Sequence, residues 1–429
     1  MHISDIYSLF LNSTGVCTDT RSISKNSLFF ALKGANFNGN TFARQAIEQG
    51  ASYAIVDEIE GDKSDKIIVV DDVLKTLQKL AHYHRKQLNI PILGITGTNG
   101  KTTTKELIKA VLETTHKVFA TQGNLNNHIG VPLTLLSMDE NTEIGIVEMG
   151  ANHPGEIEFL CNIADPDYGI ITNVGKAHLE GFGSFDGVKR TKSELYRHIE
   201  AKRGGLFVNS DNLHLKEMLK TGATLYTYGR ESFNKVVLCE LFQSDFLAFA
   251  CSINCSELEI NTNLVGNYNV ENVLAAITIG SFFKVTRGNI AKALANYKPT
   301  NNRSQLEITS KNKVLFDAYN ANPSSMEVAL RNFISMAGDK KVVILGEMKE
   351  LGEDSVKEHK KLVNFLHHKQ LKVILVGESY KELIDGTPFT YLANVDELSE
   401  FLTQKPLLKS FILVKGSRSN RLEKIKELL

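Results

Sequence analysis

Cysteine pairs, net charge and long apolar runs are what this 429-residue sequence lacks. Its five cysteines contain no C-x-x-C pair, which favours free thiols in a reducing cytosol. Lysine plus arginine and aspartate plus glutamate both number 49, so no global field attracts nucleic acid or a membrane surface. No stretch reaches the ~20 apolar residues of a membrane span, and the first residues lack the basic and apolar regions of a signal peptide. We therefore expect a cytoplasmic protein that binds anions through local clusters.

The length is too great for one hydrophobic core and indicates about three domains. Composition and pattern divide the chain into a first unit over residues 1–88, a second over 89–297 and a third over 298–429. Pro91 follows the last predicted helix of the first unit and favours a boundary there. In the first unit, strands are predicted at residues 27–32, 54–56 and 67–70, followed by a helix over 73–88.

Residues 91–106 carry the most informative motif of the chain. A short apolar run before Gly97 predicts a buried strand, and apolar residues at helical spacing after Lys101 predict a helix. Such a strand, glycine loop and helix can hold phosphate, because backbone N–H groups and the positive end of the helix face the anion. In this geometry Lys101 reaches the outer phosphates and the Thr102 hydroxyl can bind Mg²⁺. The motif predicts a nucleoside triphosphate site.

The match to the general phosphate-loop pattern, G-x-x-x-x-G-K-[ST], is imperfect. That pattern requires glycine at Ile95, whereas the first glycine here is Gly94. The alternative is an ordinary glycine-rich turn in which Lys101 is a solvated charge. The predicted strand and helix on either side favour the phosphate loop.

The second unit alternates strand and helix patterns after this loop. Its strand-like runs end in polar residues, as parallel strands do where an open α/β sheet binds ligands at their carboxyl ends. The predicted strands cover residues 143–148, 169–173 and 205–209, and polar clusters occupy residues 124–128, 148–153 and 178–183.

The third unit repeats strands and helices in a Rossmann-like pattern. It contains no G-x-G-x-x-G, which argues against a dinucleotide ligand. Its strand-like runs are residues 314–316, 342–345, 373–376 and 411–414. The predicted fold is therefore α/β in three domains: a small α/β domain, a central phosphate-loop domain with a mostly parallel sheet, and a Rossmann-like domain.

Several motifs together resemble one known family. Residues 94–103 resemble the phosphate loop of the Mur ligases, which build the peptide stem of bacterial cell-wall precursors. The resemblance covers nearly the whole chain. Within the family it is nearest to the member that adds D-alanyl-D-alanine to UDP-N-acetylmuramoyl-tripeptide. The runs that carry this further likeness are residues 123–131, 148–157, 177–183 and 319–323.

The resemblance implies an amide-forming reaction driven by ATP. The substrate carboxylate is first phosphorylated, giving an acyl phosphate and ADP, and an amine then displaces phosphate. Two Mg²⁺ ions are implied, and the implied catalytic residues are Lys101, His178 and Lys192. The implied metal ligands are Thr102, Glu148, His178 and Lys192, with Lys192 carrying a carbamate. The implied nucleotide-binding residues are Gly97, Thr98, Asn99, Gly100, Lys101, Thr102, Thr103, Asn269, Asn272, Arg303 and Asp317.

Some of these assignments have a simpler explanation. For Asn269 and Asn272, implied at adenine, the alternative is helix capping, and for Lys192 it is a plain solvated charge beside Lys189. Arg303 and Asp317 are implied at phosphate and ribose, but Asn302 stands where the family usually has glycine before that arginine. Asparagine tolerates left-handed backbone better than most residues, so the departure weakens the assignment only a little.

The resemblance also implies where the two substrates bind. The uridine nucleotide is expected in the first unit around Asp19 and Arg21, although an Asp-x-Arg pair is more often a surface ion pair. Asn126 is a further substrate candidate. Asn320 and Asn322 would face the incoming dipeptide in the third unit. Lysine and diaminopimelate both remain open as the third stem residue, and a monomer is expected.

Two other functions compete with this interpretation. One is a related ligase, either a sibling Mur ligase that adds another amino acid or a folylpolyglutamate synthase. The full first unit favours the nucleotide-sugar substrate, because the folate enzymes have no comparable domain. The other is a phosphate-loop switch that regulates partners. A guanine-specific switch should show Asn-Lys-x-Asp after the loop, and the sequence has none.

Overall fold

The computed structural model describes residues 2–58, 64–299 and 303–429, so Asn302 lies outside the described residues. Its strands form three larger sheets of four, nine and six strands and one two-stranded ribbon. Parallel pairs dominate all three larger sheets, which confirms the predicted α/β class. In the described part of the chain, no helix combines the length and apolar character needed to cross a bilayer.

The first sheet is small and entirely parallel, in the order β1-β2-β5-β6. Its predicted strands are confirmed, although the run at 27–32 pairs only over three residues. The strands of this sheet are β1 Val16–Cys17, β2 Leu28–Phe30, β5 Tyr53–Val56 and β6 Ile67–Val69, and the separate ribbon pairs β3 Lys33–Gly34 with β4 Phe37–Asn38. The helices are α1 Ile3–Leu11, α2 Ala43–Glu48 and α3 Val73–Leu88, with short 3₁₀ helices at Thr20–Ser22 and Gly39–Phe42.

Helix α3 joins the first sheet to the second. It begins where the Asp72 side chain accepts a hydrogen bond from the Lys75 N–H, and it ends at Asn89 in a left-handed conformation. Leu77 and Leu80 are fully buried in a core that continues from the first sheet into the helices Gly130–Leu136 and Glu156–Ala164 of the second unit. The predicted helix over residues 73–88 is confirmed, and its apolar side belongs to a core that both units share.

The second sheet has the order β15-β14-β13-β12-β11-β10-β7-β9-β8 and is parallel from β8 to β13. Its strands are β7 Ile92–Thr96, β8 Val118–Ala120, β9 Ile144–Glu148, β10 Tyr168–Ile171, β11 Gly205–Asn209, β12 Thr224–Gly229, β13 Val236–Leu241, β14 Ala248–Ile253 and β15 Ser256–Asn261. Its helices are α4 Lys101–Leu112, α5 Gly130–Leu136, α6 Glu156–Ala164, α7 Leu179–Phe182, α8 Phe185–Ala201, α9 Leu213–Glu217, α10 Val270–Phe282 and α11 Arg287–Asn296, with a 3₁₀ helix at Asn267–Asn269.

The position of β7 in this sheet determines where a ligand can bind. Every residue of β7 is buried, and the strand lies between β10 and β9, both parallel to it. The carboxyl ends of all three strands therefore meet at one edge. The loop after β7 leads directly into α4, as the strand-loop-helix pattern predicts.

The third sheet has the order β16-β17-β21-β18-β19-β20, with β16 antiparallel and the others parallel. The strands are β16 Gln305–Ile308, β17 Lys313–Asp317, β18 Lys341–Gly346, β19 Lys372–Val376, β20 Thr390–Leu392 and β21 Phe411–Lys415. The helices are α12 Pro323–Ser335, α13 Ser355–His367 and α14 Val395–Gln404, with 3₁₀ helices at Gly352–Asp354, Glu378–Leu383, Arg418–Asn420 and Leu422–Leu428.

Candidate active site

A cleft of about 740 Å³ lies between the second and third units, at the carboxyl ends of β7, β9 and β10. Most of the predicted site residues line it, which brings together side chains more than 200 positions apart in sequence. The predicted residues in its wall are Thr98, Asn99, Gly100, Lys101, Thr102, Thr103, Asn126, Glu148, His178, Asn269, Asn272, Arg303, Asp317, Asn320 and Asn322.

The loop between β7 and α4 needs glycine at two positions. Gly97 has φ +146°, and a Cβ there would lie 2.0 Å from Oγ1 of Thr172. Gly100 has φ +78°, and a Cβ there would lie 2.7 Å from Oδ1 of Asn272. The loop is fixed from the next strand as well, because the Asn99 N–H donates to Oδ1 of Asn173 at 2.9 Å. The backbone is thus held in place around the start of α4.

Lys101 is the first residue of α4 and folds back over the loop. Its ammonium donates to the carbonyl of Gly97 at 2.8 Å. Burial lowers the pKa of Lys101, and the nearby charge of Arg303 adds to this, whereas Glu148 opposes it. The loop therefore presents a cation and the first N–H groups of a helix to the same point of the cleft.

Thr102 and Glu148 form the oxygen-rich part of the cleft. The Thr102 hydroxyl donates to Oε2 of Glu148 at 3.0 Å, and the Asn126 amide donates to Oε1 at 2.9 Å. Lys105 lies 3.9 Å from the same carboxylate and balances its charge. A hydroxyl and a carboxylate are ligands that Mg²⁺ prefers, and it usually takes few protein ligands beside substrate phosphates. This donor set fits magnesium, although no group of three His, Cys, Asp or Glu forms a ready cage in the described residues.

His178 and Lys192 both lie near the ring of Phe182. The His178 ring centroid is 6.2 Å from that of Phe182, and Nζ of Lys192 lies 5.6 Å from the same ring. His178 lines the cleft, but its Nδ1 is only 2.6 Å from Oε2 of Glu350 in the third unit. That contact lowers the pKa of Glu350.

Lys192 is 2% exposed, so it is not the solvated charge that the simpler explanation required. Burial and the charge of Lys101 lower the pKa of Lys192 to about 7. The neighbouring Lys189 differs, since its ammonium pairs with Glu217 at 2.6 Å. Lys192 lies in α8 behind the cleft and does not line it.

Asn269 and Asn272 are buried in a network behind the phosphate loop. The Thr104 hydroxyl donates to Oδ1 of Asn272 at 3.0 Å, and the Asn272 amide donates to Oδ1 of Asn269 at 2.9 Å. The Asn269 amide in turn donates to the carbonyl of Val265. Neither side chain caps α10, so the helix-capping explanation does not hold for these two residues.

The third unit contributes cations and amides to the opposite wall. The Arg303 guanidinium stacks 3.6 Å from the ring centre of Tyr319, while its Nε is buried without a hydrogen-bond partner among the described residues. Asp317 accepts from Lys415 at 2.5 Å. The Asn322 amide donates to Oδ1 of Asn99 at 2.8 Å, so the third unit contacts the phosphate loop directly.

Both oxygens of Asn320 are turned towards its own unit. Its Oδ1 accepts from the Ala321 N–H at 2.9 Å, and its carbonyl lies 3.4 Å from Nζ of Lys415. Asn322 also caps α12, accepting from the Ser325 N–H, with Pro323 at the first helical position.

Asp19 and Arg21 lie apart from the cleft. Their side chains form an exposed ion pair at 2.6 Å, and Asp19 also caps the 3₁₀ helix that follows it. This is the surface pair that the simpler explanation describes, and it holds the pKa of Asp19 at about 2.

Asn173, Lys415 and Glu350 contribute contacts that were not predicted from the sequence. Asn173 positions the loop, Lys415 neutralises Asp317, and Glu350 pairs with His178. Asn173 ends a predicted strand, so its place at the sheet edge was available as a signal. The partners of Lys415 and Glu350 are 98 and 172 positions away, and only the folded chain reveals them.

Comparison with known proteins finds similarity along nearly the whole chain. The family profiles that match are described as the Mur ligase family catalytic domain (residues 12–91), the Mur ligase middle domain (95–280) and the Mur ligase glutamate ligase domain (302–418). UDP-N-acetylmuramoyl-tripeptide–D-alanyl-D-alanine ligase of Bacillus subtilis (strain 168) is 35% identical over 96% of this chain and 92% of its own.

Solved structures show the same similarity. MurF from Acinetobacter baumannii superposes with a TM-score of 0.87 at 30% identity, covering 96% of this chain and 92% of its own. MurF ligase from Thermotoga maritima, solved in complex with ADP, gives 0.86 at 26% identity, covering 98% and 97%. Family profiles, full-length relatives and fold agree, and the chain belongs to the Mur ligase family.

Proposed function

We propose that this protein is the ATP-dependent ligase that joins UDP-N-acetylmuramoyl-tripeptide to D-alanyl-D-alanine in cell-wall precursor synthesis. The observation that carries the proposal is one cleft in which a phosphate loop, a hydroxyl–carboxylate pair and the third unit face each other. The full-length relative from B. subtilis bears this activity in its name. The protein acts as a monomer in the cytoplasm.

In the first step a carboxylate oxygen of the tripeptide forms a bond to the γ-phosphorus of ATP, and the bond to the ADP oxygen breaks. Lys101 and the N–H groups at the start of α4 bind the phosphoryl oxygens and offset their charge. Arg303 approaches the same charge from the third unit. Its buried Nε–H has no hydrogen-bond partner among the described residues and can donate to a phosphoryl oxygen. Asn269 and Asn272 bind adenine, and Asp317 binds the ribose.

In the second step the amine nitrogen of the dipeptide attacks the acyl carbon, the carbon–oxygen bond to phosphate breaks, and a proton leaves the amine. Asn320 and Asn322 hold the dipeptide on the third unit, and Asn126 contacts the acyl substrate beside Glu148. The uridine nucleotide binds the first unit, where Asp19 and Arg21 are candidate contacts.

Two magnesium ions serve this reaction. When bound, they neutralise phosphoryl oxygens and hold the reacting groups in line. Thr102 and Glu148 would hold one ion, and His178 and Lys192 the other. Lys192 acts as a carbamate: its neutral amine forms a bond to the carbon of CO₂ and releases a proton, giving an anionic oxygen ligand. Burial of Lys192 supports this, because it disfavours the ammonium form.

The test offers ATP, UDP-N-acetylmuramoyl-tripeptide with either lysine or diaminopimelate, and a panel of amines, and identifies products by mass. We expect a product enlarged by D-alanyl-D-alanine, with single D-alanine used poorly. Efficient transfer of a single amino acid would assign the chain to a sibling ligase. Glutamate addition to a folate would assign it to the folylpolyglutamate synthases, and amine-independent phosphate release to a nucleotide switch.

A further inference from the structure

Residues 175–180 of the second unit meet Ser324 and residues 350–358 of the third along a line of polar contacts that we call the seam. The Lys176 N–H donates to Oγ of Ser324 at 3.1 Å, and its ammonium pairs with Glu358 at 3.2 Å. Gly352 packs against Glu180. One contact in the seam differs from the rest, because it engages His178, a residue proposed to bind metal.

That contact joins Nδ1 of His178 to Oε2 of Glu350 at 2.6 Å. An ionised carboxylate only accepts hydrogen bonds, so Nδ1 must carry a proton at this distance. In the neutral ring the other nitrogen, Nε2, is then unprotonated and available as a ligand. His178 lines the cleft and packs edge-on against Phe182, which restricts how its ring can turn.

Both residues of the pair have an unusual backbone conformation. His178 has φ +50° and Glu350 has φ +64°, the left-handed region that residues other than glycine seldom adopt. Such conformations persist where surrounding structure imposes them, and they are concentrated at functional sites. Here the surrounding structure includes the seam, so the third unit takes part in fixing the His178 ring.

We propose that Glu350 is a positioning residue that fixes the Nδ1–H tautomer of His178, so that the third unit sets the orientation of a metal ligand in the second unit. The inference rests on the proposed metal role of His178. Histidines that bind metals usually donate their other N–H to a carboxylate or carbonyl, and loss of that partner typically costs 10–100-fold in metal affinity. Glu350 is the carboxylate partner of His178 and comes from the third unit. The Nε2 atom of His178 is therefore free to bind metal only while the second and third units are in contact.

The competing explanation is that Glu350 merely helps to hold the two units together. The seam offers a matched control, because Glu358 pairs with Lys176 across the same boundary without touching His178. Glu358→Gln removes a buried charge from the seam, and Glu350→Ala removes the tautomer-fixing carboxylate. A purely structural role predicts similar effects of both substitutions.

The first measurement reads the tautomer by ¹⁵N NMR of the full-length, histidine-labelled protein without metal. His178→Ala identifies the His178 signal among the 12 histidines. We expect Nδ1–H in the wild type and in Glu358→Gln, and a shift towards Nε2–H in Glu350→Ala. Glu350→Gln should retain Nδ1–H, because its amide oxygen still accepts. An unchanged tautomer in Glu350→Ala would overturn the inference.

The second measurement titrates Mn²⁺ by electron paramagnetic resonance in the presence of ADP. We expect Glu350→Ala to weaken the site affected by His178→Ala by about 10–100-fold, and Glu358→Gln to leave it within about twofold. If His178→Ala weakens Mn²⁺ binding and Glu350→Ala does not, the inference is wrong and the proposed function stands. If neither does, the metal role of His178 fails as well.

Discussion

Lys101 is the residue on which phosphate chemistry depends most directly. Its ammonium lies at the start of α4, within 2.8 Å of the Gly97 carbonyl, where the transferred phosphate would sit. Lys101→Ala should lower amine-dependent phosphate release by at least about 10²–10³-fold, the usual cost of losing one transition-state donor. Phosphate release and circular dichroism measure activity and folding together.

Lys109 provides the control for that substitution. It lies on the exposed side of the same helix and pairs with Glu113 at 3.6 Å. Lys109→Ala should retain activity within about twofold and lose less than about 0.5 kcal/mol of stability. Near-normal turnover in a folded Lys101→Ala protein would contradict the phosphate-loop assignment.

Lys192 gives a second prediction at this scale. Lys192→Ala should be inactive and partly restored by formate or acetate, since a small carboxylate can replace the carbamate oxygens. Stripping CO₂ from the buffer should lower wild-type activity, and bicarbonate should restore it. Lys189→Ala should stay near normal, because Lys189 pairs with Glu217 on the surface. Full activity in Lys192→Ala would refute the carbamate.

The sequence predicted which residues line the cleft better than it predicted which of them contact each other. Glu148 and Thr102 were recognisable because each ends or begins an element at one sheet edge. Asn99 and Asn322 show the limit, since their hydrogen bond joins residues 223 positions apart that belong to two different units. Which side chains pair depends on how two units dock, and no local pattern records that.

At the scale of elements, the tight turn between β7 and α4 should tolerate no side chain at Gly97. A methyl group there would approach Oγ1 of Thr172 to 2.0 Å, at a φ that alanine rarely adopts. Gly97→Ala should therefore abolish nucleotide binding, measured by calorimetry with ADP. In contrast, Gly288 in α11 has open space around it, and Gly288→Ala should leave binding unchanged and stabilise the fold by about 0.4–1 kcal/mol. Equal ADP affinity in both variants would contradict this account.

The strands β11 and β15 show how burial affects the prediction of a strand from sequence. β11 was predicted at its observed bounds, Gly205–Asn209, because all five residues are buried and form a continuous apolar run. β15 was missed, because most of its residues are exposed or half-buried and only Ile260 is fully buried. Edge strands of this kind have few apolar residues in their sequence. The position of β15 is determined by its antiparallel pairing with β14.

At the scale of the molecule, Asp165 ties α3 to the second unit. It accepts from Lys202 at 2.7 Å and pairs with Lys86 of α3. Burial would raise the pKa of Asp165, but these bonds outweigh it and hold the pKa below the usual value. The folded pKa lies below the unfolded value of about 3.9, so the stabilisation is present above about pH 4 and disappears as pH falls further.

Asp165→Asn should therefore lower the unfolding free energy at pH 7, and its difference from wild type should shrink below about pH 4. Urea unfolding at several pH values measures this. Glu140→Gln, in an exposed turn, should follow the wild-type curve throughout. A constant difference between Asp165→Asn and wild type at all pH values would argue against the pKa effect.

The continuous core predicts how the chain can be divided. Leu77 and Leu80 of α3 pack into the same core as Leu135 and Leu160 of the second unit. A fragment ending at residue 299 should fold with one cooperative thermal transition, whereas residues 1–88 alone would expose this apolar face and should not. Calorimetry of the two fragments distinguishes these outcomes, and cooperative unfolding of residues 1–88 would contradict the prediction.

Because the first and second units share a core, ligand binding to one of them should also stabilise the other. A ligand that binds a folded unit stabilises whatever unfolds together with it. A uridine nucleotide seated on the first unit alone should therefore slow amide hydrogen exchange in β7 and β9, without touching them. The strands of the third unit, whose apolar clusters are almost entirely its own, should exchange at unchanged rates. Binding of the uridine nucleotide would then stabilise the first and second units together. Binding of the dipeptide would stabilise mainly the third unit.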